Sequence, residues 1–364
     1  MLRRTIFFVL FAASALFGQT SATLRGLITD QSGAVLPGVS ISVRNQQTGV
    51  ERTTLSDETG NYQVAALPIG VYQVEVMLAG MKPQNVSGLA LEVGQTVIRD
   101  FKLEVGAASE EVTVSGEAPV IDTATITVGQ VINQRIVQEI PLNGRHFLDL
   151  GMLAPGSVTP PANAGLAAPL RGQGFFSFNT AGNREDSVSF MVNGINLNDI
   201  SNNQITFQPS INTVDEFKLT NSTFSAEYGR NSGAILNIAT KSGTNQFHGE
   251  VFDYLRNDVF DARNFFDIAK PAFRRNQYGG TLGGPIVKDR TFFFFSYEGL
   301  THRQGITLSS GVLTDAQRAA VTDPVIQKLL PLIPKANSGP GTFRGPAIAP
   351  VGNNQFTLDR KSVV

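Results

Sequence analysis

The only imidazoles in the chain are His146, His248 and His302, and none stands in an H-E-x-x-H or other metal-ligand spacing. Cysteine is absent, which removes thiolate metal sites, cysteine nucleophiles, disulfides and lipid attachment at an N-terminal Cys. The sequence holds no G-x-S-x-G elbow and no G-x-x-x-x-G-K phosphate loop. No catalytic residue, metal ligand or cofactor site is therefore expected. What the sequence offers instead is backbone chemistry. Glu110, Glu111, Val112, Thr113 and Val114 form a short β-prone strip that follows the flexible joint Gly106-Ala107-Ala108-Ser109. Backbone pairing between two strand edges is indifferent to most side chains, so such a strip suffices for capture by a partner strand. It can equally be a last strand of the preceding domain, or plain linker.

The elements that would carry this strip follow from composition and period. Twenty-nine basic residues against 30 acidic ones leave no global field to gather nucleic acid, so no nucleic-acid partner is expected. Charged residues make up 16 % of the 364, with 41 % hydrophobic, which is too apolar for a disordered chain and sparsely charged for an ordinary cytosolic enzyme. Arg3 and Arg4, the apolar run Ile6 to Phe17 and the small residues up to Ala22 read as a secretory signal peptide over 1–22. That run is shorter than the roughly 20 residues a spanning helix requires, so any membrane residence would be as a β-barrel.

Phenylalanine use then marks two folding environments, with Phe101 alone between residues 23 and 146 and the rest of the mature chain's Phe beyond it. In the first, Val39, Ile41 and Val43, then Tyr72, Val74 and Val76, then Phe101, Leu103 and Val105 alternate with polar partners. Period two predicts half-buried strands, and Pro37-Gly38, Thr59-Gly60-Asn61 and Ile69-Gly70 supply turns, so an antiparallel β-sandwich is expected over 23–105. A linker bearing the strip covers 106–126, and a compact α+β domain 127–242. In that domain Ile132, Ile136 and Ile140 predict one helical face ended by Pro141. Strands are expected at Val188 to Val192, stopped by Asn193-Gly194, at Val214 to Leu219 and at Ala234 to Ala239. Tyr228 and Gly229 with Gly233 predict a tight turn before a buried strand, glycine supplying positive φ and close approach.

From 243 to 364 the texture becomes aromatic. Phe247 to Arg256, Gln277 to Gly283 and Thr291 to Glu298 each approach the roughly 9 to 11 residues of a tilted membrane strand. In the last, Phe293, Phe295 and Tyr297 point one way, and Phe292, Phe294, Ser296 and Glu298 the other. That pattern suits a lipid boundary backed by a polar lumen, and equally a soluble sandwich strand with an aromatic core.

Several runs resemble the TonB-dependent outer-membrane receptors, in the Oar-like branch. Gly33-Ala34-Val35-Leu36-Pro37-Gly38 and Asp57-Glu58-Thr59-Gly60-Asn61-Tyr62 are similar to a carboxypeptidase regulatory-like domain, whose fold is shared with carbohydrate-binding modules. Pro141-Leu142-Asn143-Gly144-Arg145, Phe190 to Ile195 and Glu227 to Gly243 resemble the plug of these receptors, with Asn193, Gly194, Tyr228, Gly229, Gly233, Asn237, Thr240 and Lys241 in its structural motif. Arg275 to Gly280, Gly283-Gly284-Pro285 and Phe292 to Glu298 resemble the start of the barrel.

The resemblance implies a mainly β protein: sandwich, α+β plug, then the first strands of a truncated outer-membrane β-barrel. It also implies that Glu110 to Val114 is a TonB box. The partners would be the TonB energising complex, outer-membrane lipid, the barrel-assembly machinery and an unidentified substrate, with the N-terminal domain in the periplasm. Arg145, Arg171, Arg184, Glu185, Asp186 and Arg230 would face the barrel wall, or stand as ordinary surface charge. A barrel of 22 strands needs about 220 residues before loops are counted, whereas 243–364 supplies 122, and no aromatic residue closes the sequence. A fragment or interrupted gene product is the expectation. The alternative function is a surface or periplasmic binding or adhesion protein on the same scaffold, although without a Trp the usual sugar-stacking platform is missing.

Overall fold

The computed structural model describes residues 21–106, 112–115, 128–142, 144–158, 179–180, 182–184, 187–200, 203, 205–222, 224, 228–229, 231–263 and 270–362. The predicted signal peptide lies almost wholly outside the described residues. The first strand, β1 (Ala22–Asp30), begins inside its predicted limit, with Ala22 already buried.

Eight further strands complete the sandwich: β2 (Ser40–Asn45), β3 (Glu51–Leu55), β4 (Asn61–Leu67), β5 (Gly70–Met77), β6 (Gln84–Leu91), β7 (Thr96–Ile98), β8 (Phe101–Leu103) and β9 (Val112–Ser115). One sheet runs β4-β1-β7, with β8 also on β1, and the other runs β3-β2-β5-β6-β9. Successive side chains of a strand point to opposite faces, so the predicted alternations send Val39, Ile41, Val43, Tyr72, Val74, Val76, Phe101 and Leu103 into one core. Val105 departs from the pattern and is 77 % exposed. By then the chain has left β8, and its backbone bridges Met81 instead.

The pairs β1–β4, β2–β3, β2–β5 and β5–β6 are antiparallel, while β7, β8 and β9 pair in parallel. β7 and β8 behave as one interrupted strand along β1. In the gap between them, Arg99 N–H donates to Arg25 O at 2.8 Å, and the Asp100 carboxylate accepts Leu27 N–H at 2.8 Å. The Tyr62 hydroxyl donates to Arg99 O at 2.7 Å, while its ring packs against Phe101 with centroids 5.9 Å apart. Tyr72, equally buried, donates to Pro68 O. Both tyrosines thus satisfy a polar tip at the edge of an apolar core, as burial demands.

The plug region contains β10 (Val128–Ile132), a short helix α1 (Gln134–Glu139), β11 (Ser157–Val158), β12 (Asn179–Thr180), β13 (Val188–Val192), β14 (Ile195–Asn196), β15 (Val214–Ser222) and β16 (Ala234–Thr240). Its sheet runs β10-β15-β16-β13-β14, with only β13–β16 parallel. β16 lies in the middle and is buried on both faces from Ala234 to Ala239, as an uninterrupted apolar run requires. The predicted helix is shorter than expected and turns a different face inward. Ile132 belongs to β10, Ile140 is exposed, and Val137 is the buried helical residue. Asn133 caps the helix by accepting Ile136 N–H at 3.1 Å, which starts it after Ile132 and so removes the first isoleucine from its face. Ile132, Val137, Phe147, Leu148, Phe190, Phe217, Leu236 and Ile238 form a second core, with Phe147 and Phe217 rings 5.7 Å apart.

The aromatic region forms a four-stranded sheet, β17 (His248–Asn257), β18 (Phe273–Val287), β19 (Thr291–Gly311) and β20 (Thr342–Ser362), in sequence order. Its strands of 10, 15, 21 and 21 residues reach or exceed the length that crosses hydrocarbon. The predicted alternation in β19 holds: Phe292, Phe294 and Ser296 are buried while Phe295 is exposed. On β18 and β19, buried Gln277 donates to Glu298 at 2.6 Å. Val251, Leu255, Phe356 and Leu358 are exposed apolar residues, as a lipid-facing surface would have.

Between β19 and β20 lie α2 (Asp315–Ala319) and α3 (Pro324–Leu329), pinned by Arg318 donating to the carbonyls of Leu330, Ile333 and Pro334. The chain divides into two compact units. The sandwich, the plug sheet and Leu282–Phe295 lie in one, and Gly249–Thr281 with Ser296–Phe356 lie in the other.

Gly26 stands where a Cβ would collide with the backbone carbonyl of Arg99, in the gap between β7 and β8. Gly26→Ala is expected to destabilise the sandwich by about 1–3 kcal/mol or more, since backbone must move. Tyr62→Phe, which loses one hydrogen bond to the same carbonyl, is expected to cost about 1 kcal/mol. Urea titration followed by tyrosine fluorescence orders the two, and a Gly26→Ala midpoint equal to the parent's would contradict the close approach.

Candidate functional site

The described part of the strip expected to serve capture is a strand, although not an isolated one. Glu110 and Glu111 lie outside the described residues. Val112, Thr113 and Val114, with Ser115, form β9 and run parallel to β6, pairing Gln84 with Val112, Asn85 with Thr113, Val86 with Val114 and Ser87 with Ser115. The expected linker from 106 therefore carries a segment that joins the sandwich sheet as its end strand. The chain is guided there by backbone contacts just before β6. Lys82 N–H donates to Glu104 O at 2.8 Å and Gly106 N–H to Gly80 O at 3.2 Å.

The plug motif is organised around the end of β16. Asn193 and Gly194 have φ of 49° and 81°, the two positive values that a tight two-residue hairpin requires, and they join β13 to β14. The Asn193 side chain does more than turn the chain. Its Nδ2 donates to Thr240 Oγ1 at 2.8 Å and its Oδ1 accepts Thr240 N–H at 3.1 Å, so the hairpin is clamped to β16. Asn237 Nδ2 donates to the Tyr228 hydroxyl at 3.4 Å.

Gly233 meets the expectation of close approach, because a Cβ there would lie 2.6 Å from Ser187 O. At Gly229 φ is not positive, and among the described residues nothing lies within 4 Å of where a Cβ would stand. Lys241 is buried at the end of this row, and its N–H donates to Thr213 O at 2.8 Å. Burial raises the Asp215 carboxyl above its ordinary value, and the charges of Lys241 and His248 oppose the rise.

Two residues that sequence reasoning missed link the sandwich to the plug. Glu216 on β15 accepts Val93 N–H at 2.5 Å, and Lys218 donates to Gly94 O at 3.2 Å. Burial pushes the Glu216 carboxyl up to about 8, Asp215 and Glu92 add to the rise, and the Val93 amide and Lys218 oppose it. Nothing in the local pattern distinguishes these charges from ordinary surface residues on an alternating strand. Asn198 was likewise unmarked. It accepts Phe190 N–H at 2.7 Å and donates to Val188 O at 2.8 Å, standing in for a strand beside β13.

Of the arginines expected against a barrel wall, Arg145 donates to Asn212 within the plug, and Arg184 is exposed. Arg171, Glu185, Asp186 and Arg230 lie outside the described residues. Among the described residues no group of three or more His, Asp or Glu side chains could hold a metal ion.

Two of the three regions, the sandwich and the aromatic strands, match known domain families. Residues 23–104 match the carboxypeptidase regulatory-like domain, and residues 239–360 match an outer membrane beta barrel domain. The resemblance to TonB-dependent outer-membrane receptors of the Oar-like branch is borne out. The chain is 27 % identical over 304 residues to the TonB-dependent transporter Oar of Myxococcus xanthus, covering 79 % of this chain and 27 % of that protein.

Among solved structures, the siderophore receptor PirA of Acinetobacter baumannii aligns over 50 % of this chain and 28 % of its own, at 15 % identity and a TM-score of 0.36. A putative carbohydrate binding protein from Bacteroides uniformis aligns over 23 % of this chain and 41 % of its own, at 26 % identity and a TM-score of 0.21. The Myxococcus relative, named as a transporter, fits the expectation of a non-enzyme.

The Glu216 contact has a calculable pH dependence. With the sandwich undocked, the carboxyl returns towards its ordinary value near 4.5; docked, it sits near 8. The docked state therefore binds the proton more tightly, so its stabilisation is complete below the ordinary value and is lost as pH rises through 8. Hydrogen exchange at the Val93 amide, corrected for intrinsic rate, should show protection falling between about pH 5 and pH 8. Glu216→Gln should flatten the profile, and an unchanged profile in that variant would assign the dependence elsewhere.

Proposed function

We propose that this chain supplies the accessory, stoppering and first wall segments of an outer-membrane TonB-dependent receptor. Such a receptor takes up a substrate too large or too scarce for passive pores, and draws on the inner-membrane proton gradient through the TonB complex. The carrying observation is the succession within one polypeptide: a regulatory-like sandwich, a sheet with a buried central strand closed by polar clamps, and strands with an aromatic exposed face. Each part has a mechanical role in this reading. The strands present an apolar face to lipid. The plug hairpin is held by side-chain hydrogen bonds, which exchange with water more readily than a large apolar interface. The strip gives the energising partner a place to pull. The chain spans 27 % of the length of the Myxococcus relative, and in this reading the loops that contact substrate belong to the rest of such a receptor.

The test is direct. Proline at Val112 and Val114 removes two backbone donors from the strip, so Val112→Pro/Val114→Pro is expected to weaken binding of the full chain to a purified TonB C-terminal domain by about tenfold or more. Unchanged binding, measured by biolayer interferometry, removes the strip from the capture role.

A further inference from the structure

We propose that the sandwich is the platform that displays the capture strip. In this arrangement β6 holds β9 in extended form, and the outward backbone edge of β9 is the surface onto which a strand of the TonB C-terminal domain adds. The inference rests on the reading of the strip as the segment that this partner captures. It adds a role for the accessory domain and decides whether the strip must first leave it.

Three observations carry it. The sheet order places β9 at the end of β3-β2-β5-β6-β9, so one of its edges faces β6 and, among the described residues, no strand pairs with the other. In any strand, the N–H and C=O groups of alternate residues point to opposite edges. The ladder with β6 therefore engages half of the backbone groups of Val112–Ser115 and leaves the other half for a second neighbour. An incoming strand pairs along one edge only, so releasing the strip from β6 would gain it no additional hydrogen bonds on that edge.

The third observation is how the strip is delivered. The bridge between Met81 and Val105, with the backbone bonds of Lys82 to Glu104 and Gly106 to Gly80, fixes the chain beside the start of β6. Only residues 107–111 then separate Gly106 from Val112. A tether this short keeps the local concentration of the strip at β6 in the millimolar range or above, so the edge re-forms after each excursion. A strip already extended when the partner arrives has met its ordering cost in advance, which favours capture over an unstructured leash. An unpaired extended edge is also what edge-to-edge association selects for.

The chain contains no cysteine, which gives the test a clean background. Ser87 and Ser115 are backbone partners across the β6–β9 ladder, within the separation a disulfide can bridge. Ser87→Cys/Ser115→Cys in the full chain, oxidised, locks the strip on the sandwich; the same protein reduced with dithiothreitol is its own folding control. The probe is the purified TonB C-terminal domain, with Val112→Pro/Val114→Pro alongside.

The expected result is that the crosslink forms and that oxidised and reduced proteins bind within about threefold of each other, since the outward edge is untouched. Oxidised protein that binds about tenfold more weakly, with recovery on reduction, would show that the strip must leave β6 and would overturn the display role while leaving the receptor reading intact. Failure of the crosslink to form in protein that binds normally when reduced would also overturn it. Absence of TonB binding by the parent chain, or full binding by the proline variant, would instead sink the capture reading, and the display role with it.

Discussion

An unpaired strand edge is the constraint around which this molecule is organised. Every sheet ends in a row of backbone donors and acceptors that must meet water, another strand or a side chain. Three of the sheets among the described residues meet that demand in three ways. In the sandwich, β6 is covered by β9 and the far edge is left to β3, a short strand whose exposed residues can be hydrated. In the plug, β10 and β14 close the two sides, and β14 is only two residues long. The aromatic sheet ends in β17 and β20, and its strands have the length and exposed apolar faces suited to hydrocarbon, where hydration cannot rescue an edge. In lipid such a sheet would need further pairing at both ends, whereas edges in water can be hydrated.

Where a ladder is interrupted, side chains finish it. Asp100 accepts the amide that the gap between β7 and β8 leaves over, Asn198 takes the place of a strand beside β13, and Asn193 binds both the amide and the hydroxyl of Thr240. These substitutions stabilise without a large apolar contact. The contact of Glu216 and Lys218 with the Val93-Gly94 turn joins two separately cored regions through a carboxyl and an ammonium on backbone groups.

Much of the architecture was legible in the order of residues because period is local. Alternation placed Ile41, Val43, Tyr72 and Val74 in the first core and set Phe292 and Phe294 opposite Phe295 in β19. Asn193-Gly194 named its own turn, since few other dipeptides tolerate positive φ twice in succession. Local signals failed where a long-range contact overruled them. The spacing of Ile132, Ile136 and Ile140 suggested a helical face, yet pairing with β15 drew Ile132 into a strand and left Val137 to fill the core. Val105 continued an alternation whose strand had already ended.

The sequence by itself determined the alternating strands, and that a sandwich, a mixed domain and an aromatic sheet follow one another. Those properties reside in composition and in periods of two, which need no knowledge of distant neighbours. Only the tertiary structure decided that the strip after Gly106 lies along β6, that the backbone of Ser187 closes on Gly233, and that Glu216 reaches the sandwich. Each depends on which backbone atom arrives from far along the chain to within a hydrogen bond's length. No local pattern encodes that meeting, because the residues that bring it about are spread over the whole fold.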